Sequence, residues 1–206
     1  MREFASVFTI AFVLLGPIRL IAPFARLTRG RTPAFRRSAA LWGAVFATAT
    51  CAFVMLAGEA LVEKYALSVP ALQLGAGLIL LLSALGTIFP GGDQPEPPAE
   101  GITPLKLAIS PLATPTIVPP VGVAAILIFV MIAPLNPGRH QELALALGVI
   151  MALDFLVMIF NDRILRVPGL LPALQLLGGV LIVVQVALAI DTMLLALRTL
   201  GVVTGG

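Results

Sequence analysis

Arg19 and Asp154 are charged residues set within apolar runs, the first in Phe4–Leu27 and the second in Glu142–Asn161. A charge at mid-membrane costs about 3 kcal/mol on insertion scales, so each must face the protein interior or water rather than lipid. Two chemistries suit the pair. As a structural ion pair, the two simply neutralise each other. As a site, Arg19 clamps a substrate carboxylate through charge-assisted hydrogen bonds, and Asp154 answers an ammonium group or carries a coupled proton. An arginine and an acid around one small cavity fit a zwitterion.

The elements that must position these residues are marked by proline. Pro111, Pro115, Pro119 and Pro120 lie in an apolar run from Leu105 to Ile132, and Gly16-Pro17 and Pro23 lie in the first run. Proline lacks a backbone N–H and clashes with the carbonyl four residues back, so both runs are expected to be broken helices. Non-helical backbone at membrane depth is tolerated where it is buried in protein or lines a wet cavity. Free half-helix ends there offer N–H groups to an anion and C=O groups to a cation, reinforced by the helix dipole. Alternatively, neighbouring Ser and Thr hydroxyls fill the gaps.

Composition fixes the broad class. The chain of 206 residues is 59% hydrophobic and only 11% charged, against about 25% charge in soluble domains. It is an integral membrane protein. The net charge of +3 does not imply nucleic acid as a partner, because the basic residues cluster at the ends of apolar runs. The single cysteine, Cys51, rules out an internal disulfide and a Cys-rich metal site, and no cofactor is called for. A membrane enzyme is disfavoured, since no run contains His, a pair of aspartates with a Gly-rich partner motif, or HExxH. No catalytic residue is expected.

Six spans are expected: Phe4–Leu27, Ser38–Gly58, Pro70–Phe89, Leu105–Ile132, Glu142–Asn161 and Leu170–Leu197. Each approaches or exceeds the roughly 20 residues a helix needs to cross. The first imitates a signal peptide, but Arg19 interrupts its apolar region. Thr28–Arg37 reads as a positively charged loop, and Asp162, Arg163 and Arg166 as a turn. Loops after spans one, three and five hold Arg26, Arg29, Arg31, Arg36, Arg37, Lys106, Arg163 and Arg166. Arg2, Lys64, Arg139 and Arg198 fall on the opposite side, so both termini are expected outside the cytoplasm.

The halves are related in sequence. Pro70-Ala71-Leu72-Gln73-Leu74 recurs 102 positions on as Pro172-Ala173-Leu174-Gln175-Leu176, and Pro17 and Phe53 fall on Pro119 and Phe155 at the same shift. Three spans per copy is an odd number, which gives an inverted repeat. Residues 1–90 form the first copy, 91–103 a Gly/Pro/acidic linker and 104–206 the second. The two broken spans then face each other about an axis in the membrane plane. Arg19 lies seven residues from Arg26, and Pro115 nine from Lys106. At about 1.5 Å per residue, both breaks are roughly 10 to 14 Å deep.

These residues resemble the MarC family of bacterial integral membrane proteins over nearly the whole chain. The family's first-span motif, like N-P-I-G-x-I-P, appears as Gly16-Pro17-Ile18-Arg19-Leu20-Ile21-Ala22-Pro23. Its fourth-span motif, like P-L-A-x-P-x-x-x-G-P-G, appears as Pro111-Leu112-Ala113-Thr114-Pro115-Thr116-Ile117-Val118-Pro119-Pro120-Val121. Gly16 replaces Asn, Arg19 replaces Gly, and Pro119 and Val121 replace the glycines around Pro120. The resemblance implies an all-α inner-membrane fold of six spans, related distantly to LysE-type amino-acid exporters, with some relatives carrying small neutral amino acids. By position it implies substrate contacts at Gly16, Pro17, Ile18, Arg19, Thr114, Pro115, Thr116, Pro119 and Pro120.

The expectation is a secondary transporter of a small zwitterionic or anionic metabolite working by alternating access, with H+ or Na+ as coupling ion. The alternative is a non-transporting membrane scaffold or subunit derived from a transporter fold. Beyond substrate and lipid bilayer, the sequence leaves a homo-oligomer open.

Overall fold

A computed structural model describes residues 2–89, 101–132 and 139–202. Those residues are helical with short connections and no strand. The first apolar run is helix α1 (Arg2–Leu15), a single 3-10 turn (Pro17–Arg19) and helix α2 (Ile21–Leu27). Helices α3 (Pro33–Lys64) and α4 (Val69–Ile88) complete the first half. The second half holds α5 (Pro104–Leu107), an irregular wide-turned stretch (Ala108–Ile117), α6 (Pro120–Ile132), α7 (Arg139–Arg166) and α8 (Leu170–Thr199).

Local chemistry accounts for the starts. Ser68 and Thr103 each accept a backbone N–H three residues on, at 3.3 Å, with Pro70 and Pro104 inside the first turn where a missing N–H does no harm. Thr32 does the same for Phe35 ahead of α3, with Pro33 opening that helix. Gly169 precedes α8 with φ of +78°, a left-handed conformation that glycine adopts without Cβ strain.

Two expected boundaries move. Arg36 and Arg37 are not in a loop: the proline start at Pro33 carries the helix through them, and the α2–α3 connection shrinks to residues 28–32. Asp162, Arg163 and Arg166 likewise belong to the last turns of α7. Arg36 pairs there with Asp162, tying the start of α3 to the end of α7 on one face of the bilayer. The Gly/Pro/acidic linker at 91–100 and the loop at 133–138 lie outside the described residues.

Five segments are long and apolar enough to cross a bilayer: Val7–Leu27, Pro33–Gly58, Val69–Ile88, His140–Arg166 and Pro172–Thr199. Pro104–Ile117 and Pro120–Val130, bent by 63° at their junction, make a sixth if taken as one span. Phe53, Leu56, Leu176 and Val183 are exposed on the outside of this bundle, where an apolar solvent suits them. Packing pairs α4 with α8 most extensively and α3 with α7, while α1 and α2 run along α7. The pairing of third with sixth and second with fifth spans is consistent with a pseudo-symmetric repeat. Gly77 permits the α4–α8 approach, since a Cβ there would sit 2.9 Å from the Ala189 carbonyl oxygen.

Of the glutamines, Gln73 is buried on α4. Gln185 donates to the Leu80 carbonyl at 3.0 Å, joining α8 to α4, whereas Gln175 is exposed. Cys51 is buried as a free thiol in the larger core cluster, which also holds Ala47 and Met151.

Candidate functional site

The first break begins where α1 stops. Gly16 has extended dihedrals (φ −71°, ψ 164°) that any residue tolerates, but its neighbourhood does not tolerate a side chain: a Cβ would fall 2.1 Å from the Phe12 carbonyl oxygen. Pro17 then opens the 3-10 turn, and Leu20 leads into α2. The last carbonyls of α1 have no helical donors ahead of them. Arg19 turns back to this end, donating from Nη1 to the Leu14 carbonyl at 2.9 Å. A cation there also meets the negative end of the helix dipole, a favourable placement of about 0.3 to 2 kcal/mol.

The second break is longer. Ser110 and Thr114 are extended within Ala108–Ile117, and the Ser110–Pro111 and Thr114–Pro115 peptide bonds are cis. Its carbonyls are met by neutral donors. Thr116 Oγ1 donates to Pro111 O at 2.7 Å, Val118 N–H to Ala113 O at 2.9 Å, and Gly122 and Val123 N–H to Pro119 O. Leu112, Ala113, Ile117 and Val118 from this stretch are buried in the core.

Between the breaks lies a cavity of about 700 Å³. Gly16 and Arg19 line it from the first break, and Pro111, Pro115, Thr116 and Pro119 from the second. Asp154 lines it from α7 and is 1% exposed. Leu14, Leu15, Leu20, Leu27 and Ile117 give it an apolar wall. The cavity extends to the α2–α3 turn, where Arg26, Arg29 and Arg31 line it. Leu14, which lines the cavity, also belongs to a small core cluster with Val13, Leu80, Val121, Ala125 and Ala189.

The ion pair between Arg19 and Asp154 is not formed. The guanidinium is drawn five residues back along its own chain to the α1 terminus, and neither Asp154 oxygen has a hydrogen-bond partner. A buried carboxyl without a partner is costly unless it meets a cation or holds a proton. Seven residues along α7, on the same helical face, Asn161 is also 1% exposed. Its Nδ2 donates to Ile21 O at 2.9 Å, fixing the start of α2 against α7, and its Oδ1 has no partner.

With this geometry in place, comparison with known proteins is decisive at the family level. A family model described as MarC family integral membrane protein matches residues 1–200. The chain belongs to the MarC family. No curated protein and no solved structure matches it.

Within this MarC-family chain, the two motif stretches meet at the cavity, though not residue for residue. Gly16, Arg19, Pro115, Thr116 and Pro119 line it. Pro17 is buried, Ile18 is half-buried, and Thr114 and Pro120 are exposed, none of the four on the cavity wall. Val121, standing where the motif has glycine, is wholly buried in the smaller core cluster and does not line the cavity. That substitution therefore fills packing space rather than the cavity. Arg26, Arg29 and Arg31 were not among the expected site residues. Spacing could have found the first, because Arg19, Pro23 and Arg26 repeat at four and three residues, the period of one helical face, and all three line the cavity.

Proposed function

We propose that this MarC-family protein is a secondary transporter of a small zwitterionic or anionic metabolite. The observation that carries the reading is the cavity itself: two interrupted spans and α7 converge on it, with one cationic and one acidic side chain at depth. Broken helices around a midplane cavity are a recurrent way to build a transport site. A cavity that reaches the arginines of the α2–α3 region would correspond to one of the two states alternating access requires. Movement of α1 and α6 against α7 would exchange them. Asp154, without a partner in this state, is the group that would take up a coupled proton, or Na+ with help from nearby carbonyls. We place the protein in a bacterial inner membrane with both termini outside the cytoplasm, on the distribution of Lys and Arg.

Small neutral amino acids are the first substrates to try. The test is counterflow of radiolabelled glycine and alanine, then a wider amino-acid pool, in proteoliposomes holding wild type or Arg19→Ala. Saturable exchange lost in the variant supports a carrier whose site is at the first break. Absence of exchange across the pool by folded wild type would count against it.

A scaffold reading has one observation in its favour. Arg19 and Thr116 already satisfy carbonyls at the two breaks, so neither break needs a ligand to be stable. A scaffold would co-purify with a partner subunit and show no stabilisation by any small solute, whereas a carrier is stabilised by its substrate.

A further inference from the structure

Asp191 stands in the apolar helix α8 and does not line the cavity. The neighbouring helix gives its depth. Helices α4 and α8 run antiparallel, with Leu80 facing Gln185 and Gly77 facing Ala189 and Met193. Gly77 is the ninth residue of α4, whose 20 residues at about 1.5 Å each match the roughly 30 Å hydrocarbon core. Asp191, level with Gly77, is therefore about 12 Å from the nearer surface. The end of α8 agrees, because Thr199 lies eight residues on.

The side chain is exposed on the outside of the bundle, and among the described residues no hydrogen bond or ion pair answers it. Arg198, the next charge along α8, is seven residues away, about 10 Å of helix rise. A lysine or arginine at this depth carries its charge toward the interface on a long stem, but an aspartate is too short to do so. Left in hydrocarbon, a carboxylate costs about 3 kcal/mol. Something polar must cover it. Of the five long apolar segments, the one in α8 is the least enclosed, 17% buried against 28% or more elsewhere, and its main packing is on α4. Leu176, Val180, Val183, Ala187, Ile190 and Leu194, all exposed, recur at four and three residues beside Asp191, the seam on which two parallel helices pack.

A symmetric dimer of identically oriented copies has its two-fold along the membrane normal, so equivalent residues meet at equal depth. A protonated carboxyl both donates and accepts. Asp191 is thus able to satisfy its own counterpart, the self-complementarity that such a contact needs. Ala187, one turn away, leaves room for close approach. We propose that two copies of this chain pair through the outer face of α8, with Asp191 hydrogen-bonded to Asp191 of the other copy near the bilayer midplane. The pairing does not depend on the transport reading, because Asp191 lies off the cavity wall.

The experiment measures energy transfer between donor- and acceptor-labelled full-length protein in phosphatidylcholine vesicles as the protein is diluted with lipid. Wild type should pair and fall to monomer on dilution. Asp191→Leu should need about a tenfold higher protein-to-lipid ratio for the same transfer, the equivalent of one interhelical hydrogen bond in a membrane. Asp191→Asn, which donates and accepts, should stay within about threefold of wild type. Ala187→Phe leaves the carboxyl in place and should weaken pairing at least as much as Asp191→Leu, by holding the helices apart. Both positions are exposed, so these variants should unfold in detergent at the wild-type midpoint. Oxidation of Ala187→Cys in a Cys51→Ala background should give a cross-linked dimer, and Leu56→Cys on the outside of α3 should give none. Wild type that stays monomeric at every ratio would overturn the inference. Transfer that survives both Asp191→Leu and Ala187→Phe would also overturn it, by placing the contact on another face. So would a monomeric wild type that associates, through Asp191, only with a polyleucine helix carrying lysine at the same depth, which would assign the carboxyl to a basic partner of another kind.

Discussion

The two breaks occupy corresponding places in the two halves of the chain and are closed by different chemistry. At the first, five residues, Gly16 to Leu20, depart from regular α-helix, and a guanidinium returns to the carbonyl of Leu14. At the second, ten residues depart from regular helix, and the carbonyls are answered by the Thr116 hydroxyl and by backbone N–H groups. Both close the backbone account that hydrocarbon demands. Only the first does so with a group that can also bind an anion. The first break therefore supplies charge, and the second supplies shape through Pro111, Pro115 and Pro119. The cavity between the two breaks is chemically one-sided.

The largest expected effect breaks that asymmetry at its charged side. Arg19→Ala should lower counterflow about thirtyfold or more, since truncating a hydrogen-bonded charge held inside the protein costs about 2 to 5 kcal/mol and each 1.4 kcal/mol is tenfold. Arg19→Lys should retain an intermediate rate, because charge survives and the fork does not. Equal rates in all three proteins would remove Arg19 from the site and leave it as a helix-end cap.

Asp154→Asn sharpens the comparison from across the cavity. As the carboxylate has no partner, its neutral isostere removes a buried charge and should leave the unfolding midpoint unchanged or higher. Exchange should fall about tenfold if the carboxyl carries the coupled ion, a difference of about 1.4 kcal/mol. A midpoint lowered by several degrees, with exchange intact, would instead mean that Asp154 is held by an ion pair in the membrane.

Asn161→Leu probes how the first break is held in place. Loss of the bond to Ile21 O should cost about 1 kcal/mol. That corresponds to a midpoint lower by roughly 2 to 4 °C for a chain of this size. Since Asn161 positions α2 rather than lining the cavity, the rate of exchange should drop more than the apparent affinity. Unchanged stability would show that the start of α2 does not depend on α7.

Much of this was legible in the sequence, because the strongest signals were categorical. A proline cannot donate, and a charge cannot face lipid, so Pro17, Pro111, Pro115, Arg19 and Asp154 marked the breaks and the cavity directly. Two kinds of information were out of reach. Helix ends depend on caps such as Thr32 with Pro33, which outweighed the polarity of Arg36 and Arg37 and moved a boundary by five residues, from the expected Ser38 to Pro33. Partner choice depends on distance: sequence offered Arg19 and Asp154 as an ion pair or as a site, but could not show that the guanidinium reaches the α1 terminus instead. Asn161 and Gln185 were lost among span residues, since a buried amide has no local signature until the facing carbonyl is known.

The smallest expected effect belongs to the neutral break. Thr116→Val keeps the shape of the side chain and removes the donor to Pro111 O. Because other groups at this break are backbone to backbone, one lost hydroxyl should cost about 0.5 to 1.5 kcal/mol. Thr116→Ser, which retains the donor, should recover most of that cost. Counterflow should change by no more than about threefold, or roughly 0.6 kcal/mol. If Thr116→Val instead matched Arg19→Ala in lost exchange, the hydroxyl would be a substrate contact and the second break a chemical partner of the first. The asymmetry would then be one of charge alone, with both halves of the repeat binding the transported molecule.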